Sequence, residues 1–271
     1  ALQSKEMASF MFQSDGTPAE VLFMDDTFGL TKYGYRLFTL MVRCEDGSGV
    51  PVAWLLTNGE DADRLVLFLT MVKEHAERAH GGRARFSPKY VMTDQSLSEA
   101  QAIRRVFPES CHVICQFHFL CNIRDNLHRR VGRQHGELKN KILSQIMMLA
   151  FGGFASEAEF HHRVSQVTTW LEQHPETSDF LSYLRGKVFK QKMLEKWAHV
   201  FHPDLPVRTN NICESFFRVL KDELRTTRRK RLDAAIAFLQ SFHDSFFRNL
   251  VSKSVVGEVA HKSVQQRAFE E

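Results

Sequence analysis

The chain has 271 residues, 43% hydrophobic and 25% charged, with a formal charge of +4 and a pI near 8.8. That is enough apolar residue for a full core, and it excludes a disordered chain. Five cysteines without a disulfide-like framework point to reduced thiols in an intracellular protein, and no run reaches the ~18–20 apolar residues of a membrane helix, so no membrane partner is expected.

The first third reads as sheet. Val21–Met24 is a short apolar strand, followed at once by Asp25-Asp26-Thr27. Leu37–Val42 is a second strand, Cys44–Gly49 a polar turn with glycine, and Val50–Leu56 a third strand, which together make an antiparallel meander. Leu65, Phe68, Leu69 and Val72 recur at helical steps and place a helix over about Asp61 to His80, ended by Gly81-Gly82. Lys89–Thr93 is a fourth strand. Ser96 and Glu99 have capping-box spacing at the head of a helix that Phe107-Pro108 stops. Cys111–Cys115 is a fifth strand, and a long basic helix through Phe119, Ile123 and Leu127 follows.

From about Glu137 to Phe201 every segment reads helical, with stripes at Ile142, Ile146 and Leu149 and at Phe160, Val164, Val167 and Leu171 that are read as core. Helices over about Asn211–Leu224 and Leu232–Leu250 close the pattern. The order β-β-β-α-β-α-β-α is that of the ribonuclease H-like fold: an α/β mixed five-stranded sheet with flanking helices, here interrupted by an all-helical insertion. The expected divisions are a lead-in over 1–20, a core over 21–136, the insertion over 137–205, the rest of the core over 206–252, and a helix or linker over 253–271. The start at Ala1 without Met reads as a piece of a longer protein.

Two apolar runs end in aspartate, at Asp25 and at Asp94, and a third acid, Glu214, follows Asn210 and Asn211 far downstream. In α/β proteins ligands bind at the rim of a sheet. Three carboxylates converging there supply the hard oxygen ligands of two Mg²⁺ or Mn²⁺ ions, the equipment of phosphodiester chemistry. Asp26 competes with Asp25 for the first ligand position, and strand phase favours Asp25, which shares a face with Phe23 and Thr27.

Basic residues cluster twice, at Arg124, Arg129, Arg130 and Arg133 and at Arg225, Arg228, Arg229, Lys230 and Arg231. Two clusters beside candidate metal ligands point to a polyanion partner. Arg218, one turn beyond Glu214, is placed either to reach a phosphate or to form a surface ion pair. Cys111, His112, Cys115, His118 and Cys121 fall within eleven residues, but a structural zinc site needs a second ligand pair of matching spacing and none is visible, so zinc is not expected.

Taken in order, the strings Val21–Phe28, Tyr33-Gly34, Val50–Ala53, Glu60, Thr93-Asp94 with Ala102-Ile103 and Phe107-Pro108, Cys115-x-x-His118, Lys196-Trp197 and Asn211-x-x-Glu214-Ser215 with Lys221 resemble the catalytic domain of Mutator-like element (MULE) transposases. That family includes domesticated relatives among SWIM zinc-finger proteins and plant regulators. Position 26 departs from the family's usual small residue. The resemblance implies a D-D-E metal triad of Asp25, Asp94 and Glu214, cutting of transposon DNA ends and strand transfer into target DNA. It also implies a nuclear location and a homo-oligomer assembled on DNA, and it singles out Cys115 and His118. His118, at the start of a helix on the rim of Asp94, is read either as positioning a DNA phosphate or base near the metals or as a helix cap. The alternative is a domesticated DNA-binding or regulatory module without transposition activity. No DNA-binding zinc finger or SWIM motif lies in this sequence, so end recognition is expected elsewhere in the protein.

Overall fold

A computed structural model describes residues 1–44, 46–224 and 230–256. Its sheet has five strands in the order β3-β2-β1-β4-β5, with β1 Val21–Thr27, β2 Arg36–Arg43, β3 Gly49–Thr57, β4 Tyr90–Thr93 and β5 Cys111–Ile114. β1, β2 and β3 form the expected antiparallel meander, with Asp25 opposite Thr39 and Asp26 opposite Phe38. The amide of Cys111 donates to the Lys89 carbonyl and that of Cys115 to the Thr93 carbonyl, each at 2.9 Å. The same sequence offset at both ends marks β4 and β5 as parallel. Mixed strand directions with helices α1 (Lys5–Ser9), α2 (Ala62–Ala79), α3 (Leu97–Val106), α9 (Asn211–Leu224) and α10 (Leu232–Val256) make this a ribonuclease H-like α/β architecture.

The chain divides into two compact units, one of residues 1–91, 96–111 and 210 onward, the other of 92–95 and 112–209. In the first, alternation along the strands sends Leu22 and Met24 of β1, with Phe38 and Leu40 of β2, into a core shared with Leu65, Phe68, Leu69 and Val72 of α2 and Ala102 and Ile103 of α3. The three-to-four-residue spacing that predicts α2 is therefore its buried face. Asp61 caps the start of α2, and beyond its end Gly81 and Gly82 take positive φ, the left-handed conformation that glycine adopts without strain. α9 lies against β1, β2 and β3. There Trp54 of β3 meets Phe216 of α9 and Phe242 of α10, which absorbs part of the chain's large phenylalanine content. Leu2 exchanges both backbone hydrogen bonds with Trp54, pairing part of the β3 edge.

Four strands lie within two residues of their expected lengths, and the first differs most. β1 runs through both aspartates to Thr27 rather than stopping at Met24. The Arg36 guanidinium on β2 reaches across to Asp26 at 2.7 Å, so the charge at position 26 is matched inside the ladder and does not end it.

The second unit is helical beyond β5: α4 (Gln116–Arg130), α5 (Gly136–Phe151), α6 (Glu157–Glu172), α7 (Ser178–Tyr183) and α8 (Gln191–Trp197), with short 3₁₀ and π turns between them. Its core joins Phe119, Ile123 and Leu127 of α4 to Ile142, Ile146 and Leu149 of α5, Phe160, Val167 and Leu171 of α6, and Trp197 of α8. The stripes read as core in the sequence are buried, Val164 only partly. Two His-Pro pairs interrupt these helices: His174-Pro175 at a 3₁₀ turn, Pro175–Thr177, and His202-Pro203 just past another, His199–Phe201.

His199 in that second turn carries a consequence for stability. Burial holds its imidazole below the ordinary range, and the Arg208 guanidinium lowers it further, against a backbone hydrogen bond at His202 that raises it. A histidine depressed in the folded state is protonated first in the unfolded chain. Stability is thus fully present above the unfolded value of about 6.5 and is lost as pH falls through it toward the lower folded value. Urea midpoints taken from about pH 7.5 down to about pH 5.5 should fall, and His199→Gln should flatten that slope. An unchanged slope in the variant would sink the assignment.

Candidate active site

Asp25 sits near the end of β1 on the face that α9 covers, in phase with Phe23 and Thr27. It is 6% exposed. Its two oxygens are held from different directions: Oδ2 accepts from Asn210 Nδ2 at 2.9 Å, and Oδ1 accepts from the Asp26 amide at 2.8 Å. Asn210 is fully buried at the head of α9, and its carbonyl accepts from the amides of Cys213 and Glu214. The Asn210 main chain thus starts the helix, while its side-chain amide is directed at Asp25. Glu214 stands exposed in the first turn of α9. Thr39, opposite Asp25 on β2, is fully buried, and its hydroxyl has no hydrogen-bond partner among the described residues. Asp25, Thr27 and Thr39 are thus a buried polar patch on an otherwise apolar sheet face.

Asp26 points to the other face. It binds Arg36, whose guanidinium also pairs with Glu60 and lies 4.4 Å over the ring of Phe28. Strand alternation separates two adjacent carboxylates into different roles, one facing α9 and one in a cross-strand ion pair.

In the second unit, Asp94 follows β4, and its Oδ1 lies 2.5 Å from Nδ1 of His118, the third residue of α4. Both side chains are partly exposed. α4 is aimed by its first residues. Cys115 is buried at its head, with its amide bonded to the Thr93 carbonyl. The Gln116 side-chain amide donates to the carbonyls of Ala150 and Trp197. Within the Cys115-x-x-His118 string, then, Cys115 packs and His118 reaches the aspartate. Asn122, one turn on, donates to Gln95, and Asn126 donates to Asn122. The segment after Asp94 is tied to α4 at two levels.

The basic residues divide. Arg124, Arg129, Arg133, Arg218, Lys221 and Arg231 are exposed. Arg130 is engaged inside its unit, 2.9 Å from Asp179 and over the ring of Tyr183. Burial raises the Tyr183 phenol, against the nearby arginines that lower it. Lys230 pairs through its backbone with Leu30 and Lys32, and its ammonium lies over Phe238; Arg231 is 3.5 Å from Asp233. Arg225, Arg228 and Arg229 lie outside the described residues.

Among the described residues no three His, Cys, Asp or Glu side chains are gathered as a metal-binding group. The donor chemistry nevertheless suits a hard divalent ion. Asp25 and Asp94 present fixed carboxylate oxygens, the ligand type that Mg²⁺ takes at ~2.0–2.1 Å together with water. The partnerless Thr39 hydroxyl next to Asp25 suits a bound water. Among the described residues no helix is long and apolar enough to cross a membrane.

A family model, the MULE transposase domain, matches residues 21–122. The match runs from the start of β1 into α4, so it takes in Asp25, Asp94, Cys115 and His118, and it leaves Asn210, Glu214 and most of the helical unit outside. A search of curated proteins finds no match. Sequence reasoning missed the tie between Asn210 and Asp25. Its one signal was an asparagine four residues before an acid, which reads equally well as a helix start.

Proposed function

We propose that the chain is the catalytic portion of a DDE-type DNA transposase, which cuts transposon ends and joins them to target DNA with Asp25, Asp94 and Glu214 as ligands of Mg²⁺ or Mn²⁺. The match of residues 21–122 to a transposase domain supports action on nucleic acid. The observation that carries the finer reading is the treatment of the aspartates. The two in candidate ligand positions are each oriented by a dedicated partner, Asn210 on Asp25 and His118 on Asp94, whereas the neighbouring Asp26 is consumed by Arg36. Paired orientation of this kind is how ligand carboxylates are held for a metal.

When bound, the ions would activate the attacking oxygen and stabilise the leaving one. The protein's part is to present the acids. Asn210 donates to Asp25, and a carboxylate buried away from water needs such donors. His118 sets the direction of the Asp94 carboxylate. Exposed Arg124, Arg129, Arg218 and Lys221 supply sequence-independent attraction for phosphates. Assembly as a homo-oligomer on DNA and a nuclear location complete the proposal.

The test is full-length protein with Mn²⁺ and candidate terminal-repeat DNA, beside an Asp94→Asn control. Loss of a ligand should exceed the 10–100-fold effect of losing a ligand's support, so cutting should drop by more than about 100-fold. Equal cutting by both proteins would refute the metal-triad mechanism. DNA binding without cutting by either would establish a domesticated binding module instead.

A further inference from the structure

Lys196 belongs to a string that the proposed chemistry does not use. It is the penultimate residue of α8, beside Trp197, which is 2% exposed and stacked on Phe119 with ring centroids 4.4 Å apart. Lys196 is therefore delivered on an anchored helix. Its Nζ lies 2.8 Å from Nδ1 of His112 on β5, and Nε2 of the same ring lies 2.9 Å from the hydroxyl of Thr93. That hydroxyl donates to the carbonyl of Asp94 at 2.8 Å.

The proton inventory gives this chain one direction. An ammonium has donors and no acceptor, so His112 Nδ1 must offer it a lone pair. The ring is then neutral with its proton on Nε2, the tautomer being set by the partner of the other nitrogen. Thr93 has a single hydroxyl proton, already given to the Asp94 carbonyl, so its oxygen accepts from Nε2–H. Every donor and acceptor is used consistently from Lys196 through His112 and Thr93 to the peptide of Asp94. Thr93 is fully buried, and His112 and Lys196 are partly buried, so water competes little with the bonds near the aspartate.

We infer that Lys196 is a positioning residue for Asp94, acting through His112 and Thr93. The inference rests on the proposed role of Asp94 and adds to it. His118 holds the aspartate by its carboxylate, and the Lys196 chain holds it by its main chain. Fixing both ends leaves one orientation of the carboxylate, which is what a divalent ion with strict ligand geometry requires.

The test uses the full chain as wild type, Lys196→Met, Lys196→Arg, Thr93→Val and Asp94→Asn. Nitrogen NMR of labelled histidine reads the tautomer of His112, calorimetry reads the affinity for Mn²⁺ alone, and a filter assay reads DNA affinity. We expect a single Nε2–H tautomer in the wild type and its loss in Lys196→Met. Mn²⁺ affinity should fall by roughly 10–100-fold in Lys196→Met and Thr93→Val. Lys196→Arg should restore most of it, because a donor again faces Nδ1. DNA affinity should hold in all of them. Unchanged Mn²⁺ affinity in folded Lys196→Met and Thr93→Val overturns the inference. So does weaker DNA binding with unchanged Mn²⁺ affinity, which would make Lys196 a phosphate contact. If Asp94→Asn binds Mn²⁺ as the wild type does, the metal role of Asp94 fails first and the positioning role falls with it.

Discussion

Replacing Trp197 with alanine should destabilise the helical unit by about 3–5 kcal/mol, the range for truncating a buried large aromatic. The indole is 2% exposed. It stacks on Phe119 of α4 at 4.4 Å, meets Phe160 of α6 edge-on at 6.1 Å, and donates through Nε1 to the Val188 carbonyl at 3.3 Å. Its own carbonyl accepts from Gln116 at the head of α4. Truncation opens a cavity whose walls belong to three helices. Those walls cannot all close at once, and the Val188 carbonyl loses a buried donor, which adds to the cost. Leu67→Ala is the control: Leu67 is 62% exposed on α2, and its loss should stay within about 0.5 kcal/mol. Urea unfolding followed by circular dichroism distinguishes the two. A loss under about 1 kcal/mol for Trp197→Ala would mean that Trp197 does not hold this core together.

The legibility of this chain follows the range of the forces involved. Elements set by near neighbours could be read directly. The α2 stripe, the Ser96 cap of α3, which accepts from the Glu99 amide, and the glycine pair after α2 all depend on residues within one or two turns. Strand alternation alone likewise puts Asp25 and Phe23 on one face. What could not be read depends on side chains that meet across long sequence gaps. Arg36 extends β1 by matching Asp26 from the next strand. Asn210 reaches Asp25 from a helix near the other end of the chain. Lys196 and His112 meet through two elements whose local sequences give no hint of each other. Charge clusters were legible as clusters and not as functions. Arg130 and Arg124 share a helix in the sequence, yet one is held by Asp179 and Tyr183 and the other is exposed.

Asp25→Asn should abolish strand cutting, by more than about 100-fold, while Asp26→Asn leaves it intact. The two residues are adjacent and chemically identical, so the contrast tests environment alone. Asp25 is a buried carboxylate, and burying a charge is costly even with donors on both oxygens. Removing that charge relieves the cost; the asparagine oxygen still accepts from one of the two donors, and the relief offsets the hydrogen bond lost at the other, so the Asp25→Asn protein should melt close to wild type. A stable protein that has lost its chemistry is the signature of an acid retained for function at the expense of stability. Asp26 is the opposite case. Its carboxylate neutralises Arg36, which keeps Glu60 as a second partner, so Asp26→Asn should cost up to about 1 kcal/mol, as for partly exposed ion pairs, and leave the buried patch of Asp25, Thr27 and Thr39 untouched. Thermal melting and cutting of terminal-repeat DNA in Mn²⁺, measured on both variants, give a crossed result if the assignment is right: stability spared and activity lost at position 25, stability lowered and activity spared at position 26. Loss of cutting in Asp26→Asn with retention in Asp25→Asn would reverse the assignment of the first ligand.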